Sequence, residues 1–117
     1  MRIYIPPGVS NLLGPVFKRA REEHRPKLKQ EDVAARISAL GLPMDRTIVS
    51  KIENQKRAVN DIEQLYFMKA LRISPLRLWQ LLLSQMRSIP QYSEFSSEED
   101  ELEIRVAEDD PYDPGVY

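Results

Sequence analysis

Apolar residues recur at spacings of three and four along the first three quarters of the chain, as in helices that bury one face. Proline, glycine and capping residues divide this pattern into five segments. The predicted helices run from about 14 to 24, 29 to 40, 46 to 54, 61 to 72 and 75 to 86. Loops of two to eight residues join them, so the pattern predicts a compact all-α domain.

Residues at the predicted helix ends support these boundaries. Asp45 can cap the third helix, and Ser74, which a proline follows, can cap the fifth. Asn60 followed by Glu63 matches the capping box that starts a helix. Gly41 is placed to end the second helix in a left-handed conformation.

The helical pattern stops after Pro90, where acidic residues dominate. We therefore divide the chain into an N-terminal arm, 1–12, a helical domain, 13–87, and an acidic and largely irregular tail, 88–117. Within the tail, ELEIRV alternates apolar and charged residues, as a half-buried strand does. Its one obvious partner is RIYI near the N-terminus, so a short terminal β-ribbon, within one chain or across a dimer, is a hypothesis.

Charge separates the body of the chain from its tail. Through Arg87 the chain has 16 Lys and Arg against 8 Asp and Glu, a balance of +8. From Ser88 onward it has one Arg against 10 acidic residues, a balance of −9. A basic body suggests a polyanionic partner, whereas an acidic tail is usually a solvating or interaction segment.

Catalytic and metal-binding chemistry has little support in this sequence. The chain has no cysteine, and its single histidine, His24, lies at the exposed end of the first predicted helix. The four glycines form no phosphate-binding loop. We therefore predict no enzyme, no metal site and no cofactor. With no signal peptide or long apolar run, we expect a cytoplasmic protein.

The segment from 44 to 57, MDRTIVSKIENQKR, predicts a helix with a thin apolar stripe. Val49 and Ile52 supply this stripe, while basic, hydroxyl and amide groups occupy the other faces. Such faces are in general more often solvated surface than binding sites. Within a basic body, however, this one is the candidate binding surface.

The stretch LKQEDVAARISALGLPMDRTIVSKIEN resembles the helix-turn-helix of the XRE family, the lambda-repressor and Cro-like group. The residues that match its pattern are Gln30, Glu31, Ala34, Ile52 and Glu53. The resemblance extends from Phe17 to Trp79 and implies a five-helix DNA-binding domain. The sequence departs from the family in a longer turn, SALGLPMD, and in Lys29, where the family commonly has a serine or threonine cap.

On this resemblance the third helix enters the major groove, where its N-terminal turn projects most deeply. Arg46 could form two hydrogen bonds with guanine, a contact worth about 1–3 kcal/mol of discrimination. The candidate base contacts are Arg46, Thr47, Ser50 and Lys51.

Other residues are candidates for the phosphate contacts that fix register and carry salt dependence. Gln30 combines an amide donor with the positive end of a helix dipole. The candidate phosphate contacts are Lys29, Gln30, Asn54, Lys56 and Arg57. Glu53 would be repelled by phosphate. The resemblance implies that Glu53 pairs with an arginine of the first helix, which by spacing is Arg21.

The fifth helix has more apolar residues than one buried face requires, so either the tail or a second subunit covers the excess. Regulators of this type commonly bind inverted half-sites as twofold dimers. We expect a homodimer, and its predicted interface comprises Leu78, Trp79, Leu82, Leu83 and Met86.

These features predict a transcriptional regulator of a bacterium or phage that binds double-stranded DNA, most simply a repressor that occupies a promoter. The alternative is an antitoxin-like module whose tail binds a partner protein, with DNA binding for autoregulation. The tail could also be a solubilising extension, or it could fold back onto the basic face and weaken non-specific DNA binding.

Overall fold

A computed structural model of the chain describes residues 8–88, which form five α-helices and no strand. The helices are α1 (Gly14–Glu23), α2 (Gln30–Ala39), α3 (Arg46–Glu53), α4 (Asp61–Leu71) and α5 (Pro75–Arg87). Every boundary lies within one residue of its prediction, so the all-α prediction is confirmed for this range. The hypothetical β-ribbon falls outside it. No helix in this range is long and apolar enough to cross a membrane.

Local side-chain hydrogen bonds explain why the helices start where they do. The Asp45 carboxylate accepts a hydrogen bond from the Ile48 N–H at 2.8 Å and so caps α3. At α4, the Asn60 side chain accepts from the Glu63 N–H at 2.7 Å, and the Glu63 carboxylate accepts from the Asn60 N–H at 3.1 Å. The Ser74 hydroxyl caps α5. The predicted caps are therefore confirmed.

The core lies where α1 packs against α3, α4 and α5, and where α2 packs against α3 and α4. The rings of Phe17 and Phe67 stack at its centre with their centroids 4.6 Å apart. Val49 and Ile52 are fully buried and hold α3 against the rest of the domain. Full burial of such a side chain stabilises a fold by about 1.5–3 kcal/mol, so the thin apolar stripe is enough to anchor α3.

The start of α1 is fastened to the end of α3 through Asn11. Its amide nitrogen donates to the carbonyl oxygens of Ile52 at 3.1 Å and Arg57 at 2.7 Å. Its side-chain oxygen accepts from the Gly14 N–H at 2.7 Å. A Cβ atom at Gly14 would lie 2.2 Å from the Ile52 carbonyl oxygen, so the close approach requires glycine. These contacts begin before residue 13, the predicted start of the helical domain.

The six-residue turn between α2 and α3 is held by Ser38. The Ser38 hydroxyl donates to the Met44 carbonyl at 2.8 Å and accepts from the Met44 N–H at 3.2 Å. Gly41 has a φ of +108°, which confirms the predicted left-handed end of α2. These features set the direction in which α3 leaves the turn.

Candidate nucleic-acid interface

The outward face of α3 carries the four side chains predicted to contact bases. Arg46, Thr47 and Lys51 are exposed, and Ser50 is half-buried. Residues spaced by three or four positions share one side of a helix, so these four form one open face. It is polar throughout and accessible from solvent.

Beneath this face, Glu53 is 4% exposed and bonded to Arg21. The Arg21 Nε and Nη2 atoms donate to the two carboxylate oxygens at 2.7 and 2.9 Å, and Nη1 donates to the Leu28 carbonyl at 3.1 Å. The hydrogen bonds that Arg21 donates to the Glu53 carboxylate raise the pKa of Arg21. The predicted pair is therefore present as a two-pronged contact, a geometry that adds both energy and orientation.

Gln30 joins the same buried group. Its Nε2 atom donates to the Glu53 Oε1 atom at 3.0 Å. Glu53 thus links the start of α2 and the last turn of α1 to the end of α3. The sequence predicted a phosphate contact for the Gln30 amide, but in the structure this amide is turned inward because α2 starts beside the Glu53 carboxylate. Gln30 still lies in the first turn of α2, where the backbone N–H groups and the helix dipole favour an anion.

The starts of α2 and α3 form an open cleft, which we call the α2–α3 cleft. Its lining residues are Arg21, Lys27, Leu28, Lys29, Gln30, Glu31 and Arg46. The predicted residues Lys29 and Arg46 therefore meet at one place. Lys27 is an addition that the helical pattern did not indicate, because it lies in the loop. The cleft combines exposed cations with the positive end of the α2 dipole, so it favours an anion.

Lys29 stands at the cap position of α2 without acting as a cap through its side chain. Its backbone N–H instead donates to the Asp32 carboxylate at 2.7 Å. The Asp32 N–H, which a serine or threonine cap would bind, donates instead to the Lys29 carbonyl at 3.0 Å. The side chain of Lys29 is left exposed beside the cleft.

At the other end of α3, the three predicted phosphate contacts differ in availability. Lys56 is exposed, and the exposed Asn54 makes a 3.3 Å hydrogen bond to the Ser50 hydroxyl. Arg57 instead pairs with Glu63, with Nη2 and Nη1 donating to its carboxylate at 2.8 and 3.2 Å. These contacts raise the pKa of Arg57 and lower that of Glu63. Arg57 therefore holds α4 in place, and its predicted role as a phosphate contact is weakened.

The dimer interface predicted on α5 needs correction. Leu78, Leu83 and Met86 are only 6%, 2% and 8% exposed, so a second subunit could not cover them. Trp79 is 45% exposed and Leu82 is half-buried. The apolar residues in excess of one buried face are therefore mostly covered within the chain, because α5 buries more than one of its sides.

An apolar groove lies between α4, α5 and the segment before α1. It is lined by Ser10, Asn11, Leu12, Leu13, Val59, Gln64, Leu65, Met68, Pro75, Leu78, Trp79 and Leu82. None of these residues is charged. Leu65 is 51% exposed, and the neighbouring Ile62 on α4 is 58% exposed. The groove adjoins the end of α3, because Asn11 bonds to the Ile52 carbonyl there.

Comparison of the chain with protein-family models, with curated proteins and with solved structures found no match. The resemblance to the XRE family therefore rests on the residues quoted above. Within residues 8–88, no group of three or more His, Cys, Asp or Glu side chains could hold a metal ion.

Proposed function

We propose that this chain is a sequence-specific, double-stranded DNA-binding transcriptional regulator of the helix-turn-helix type, similar to the XRE family. The observation that carries the proposal is the division of α3 into two sides. Val49, Ile52 and Glu53 are buried, whereas Arg46 and Lys51 project from an open polar face. A helix held rigidly from behind, with polar side chains in front, suits the major groove.

In this arrangement Arg46 lies at the first position of α3, the part of a recognition helix that contacts base edges. Its guanidinium can bond guanine at O6 and N7. Thr47, Ser50 and Lys51 lie on the same face and read or approach neighbouring bases. The six-residue turn before α3 fixes the angle of entry, so it also decides how many of the four reach the base edges.

The flanking cations bind the phosphate backbone on both sides of the groove. Lys27 and Lys29, at the start of α2, hold one strand, and Lys56 holds the other beyond the end of α3. Such contacts position the protein without reading sequence, and they carry most of the salt dependence.

The protein binds as a homodimer whose subunits meet at the apolar groove. The groove has an exposed aromatic side chain, Trp79, and no lining charge, features typical of the centre of a protein interface. Because it adjoins the end of α3, a second copy seated there would place two recognition helices on either side of a twofold axis. Inverted half-sites about one helical turn apart fit this geometry. Binding to such a site in a promoter would repress transcription.

Selection of bound duplexes from a random DNA pool tests the proposal. We expect the full chain to enrich one inverted-repeat sequence, and the Arg46→Ala variant to lose preference at one base pair in each half-site. Circular dichroism of the variant would establish that it is folded. Recovery of unrelated sequences by the folded wild-type chain would contradict the proposal.

A further inference from the structure

Several cations in the described part of the chain are neutralised by carboxylates. Arg19 and Arg77 both bond to Glu23, at 2.8 and 3.2 Å, and these contacts lower the pKa of Glu23. Arg57 pairs with Glu63 at 2.8 Å. On the surfaces formed by α1, α4 and α5, the positive charge is thus partly balanced within the domain, although Lys18 and Arg72 there are exposed without a carboxylate partner in residues 8–88.

The surface around α2 and α3 differs. Five exposed side chains there make no hydrogen bond or ion pair with any residue of 8–88: Lys27, Lys29, Arg46, Lys51 and Lys56. The nearby acidic residues are mostly committed, since Asp32 and Asp45 serve the starts of the two helices. Glu31 is the one exposed carboxylate that lines the α2–α3 cleft. We call the five cations the open basic surface.

The acidic tail, residues 88–117, complements this surface in charge. It holds 10 Asp and Glu against one Arg, and four of its acidic residues are consecutive, from Glu98 to Glu101. The tail begins at the end of α5. Glu98 lies ten positions beyond Ser88, a separation that can span up to roughly 33 Å, which is comparable with the diameter of a domain of this size.

We propose that the acidic tail binds the open basic surface of its own chain and competes with DNA for it. This inference rests on the proposed function only in naming DNA as the competitor. A tethered segment acts at an effective concentration in the millimolar range, so weak ion pairs are enough to occupy the surface. The tail then weakens binding to random DNA, which is held by phosphate contacts alone. A specific site displaces the tail because it also supplies base contacts.

A spin label tests the contact without DNA. The chain has no cysteine, so Ser97→Cys gives one labelling position in the full-length protein. At about 20 mM salt, where the Debye length is over 20 Å, we expect the label to broaden amide signals of residues 29–32 and 46–51. At about 0.5 M salt the broadening should disappear. It should also be independent of protein concentration.

Charge variants sharpen this test. Changing Lys51 and Lys56 to Gln should at least halve the broadening, and Lys51→Gln alone should already reduce it. The single change Arg72→Gln, at the end of α4, removes the same charge as Lys51→Gln and should leave the broadening unchanged. Amide signals of α2 and α3 that are unaffected by the label at low salt would overturn the proposal. So would broadening that is centred on α4 and α5, or that vanishes on dilution.

A binding measurement then connects the contact to DNA. In the full chain, replacement of Glu98, Glu99, Asp100 and Glu101 by their amides should tighten binding to a random duplex about tenfold at low salt. The affinities of variant and wild type should converge at high salt, so the variant has the steeper salt dependence. Equal affinities at low salt would contradict competition. Broadening without any DNA binding would reject the proposed function but retain the tail contact, and DNA binding without broadening would do the reverse.

Discussion

At the scale of single residues, Glu53 does most to hold the candidate interface together. Its buried carboxylate bonds Arg21 of α1 and Gln30 of α2 while it ends α3 itself. The pairing with Arg21 could be predicted, because the resemblance implies a partner arginine on the first helix and spacing selects Arg21. The bond from Gln30 could not, because a helix-start glutamine serves equally as a phosphate donor and only the packing of the helices turns it inward.

Replacing Glu53 with Gln tests this role. The variant keeps the shape of the side chain but leaves the Arg21 charge without its counter-ion in a largely buried site, so we expect a loss of roughly 3 kcal/mol in the free energy of unfolding. Urea denaturation measures it. Glu22→Gln, at an exposed position, should change stability by less than about 0.5 kcal/mol. An Glu53→Gln variant with native stability and altered base preference would instead make Glu53 a DNA contact.

The pairing of Glu63 with Arg57 predicts a pH dependence. Because the pKa of Glu63 is lowered in the folded chain, its pairing stabilises the fold at pH values above the ordinary pKa of glutamate. That stabilisation is lost as the pH falls through the lowered pKa. Glu63→Gln can keep the bond to the Asn60 N–H but not the charge, so its unfolding free energy should fall less on acidification than that of wild type. If the unfolding free energies of the two proteins fell equally on acidification, the stabilising role of the Glu63–Arg57 pair would be refuted. Glu31→Gln, at an exposed position, serves as the control.

At the scale of helices, the boundaries followed from the sequence because caps act locally. Asp45, Asn60 and Ser74 each bond a backbone N–H three residues ahead, so the signal and its effect lie within one turn. The contacts between elements did not follow in this way. Asn11 reaches 41 residues ahead to Ile52, and nothing in its own neighbourhood specifies that partner. The hydrogen bond that Asn11 accepts from the Gly14 N–H is local, however, and could be predicted from the sequence as the start of a helix.

The variant Gly14→Ala tests the close packing of α1 on α3, because the sign of its change in the free energy of unfolding depends on that packing. In an open helix, the change would stabilise the protein by up to about 1 kcal/mol, because glycine is a poor helix former. Here the added Cβ would lie 2.2 Å from the Ile52 carbonyl oxygen, so α1 and α3 must separate. We expect a net loss of about 1–3 kcal/mol by urea denaturation. A stabilised variant would show that the helices are further apart than described.

At the scale of the whole molecule, the apolar groove predicts a concentration-dependent dimer. Trp79 is the only tryptophan, so its fluorescence reports on the groove directly. On dilution we expect its emission to shift to longer wavelength as water reaches the indole, in step with dissociation measured by sedimentation. Trp79→Glu should be monomeric. Leu40→Glu, at another exposed apolar position, should dimerise normally. A chain that stays monomeric at every concentration would contradict the dimer, and the groove would then be expected to bind a different protein.

The central claim is that α3 reads DNA sequence, and it is tested most directly by two matched arginine variants. On the duplex recovered by selection, at fixed salt, Arg46→Ala should weaken binding by about 5- to 150-fold, the equivalent of 1–3 kcal/mol. Arg72→Ala removes the same charge at the end of α4, away from α3, and should weaken binding by less than about threefold. Equal losses in the two variants would mean that the protein responds to charge alone, and would contradict sequence reading by α3.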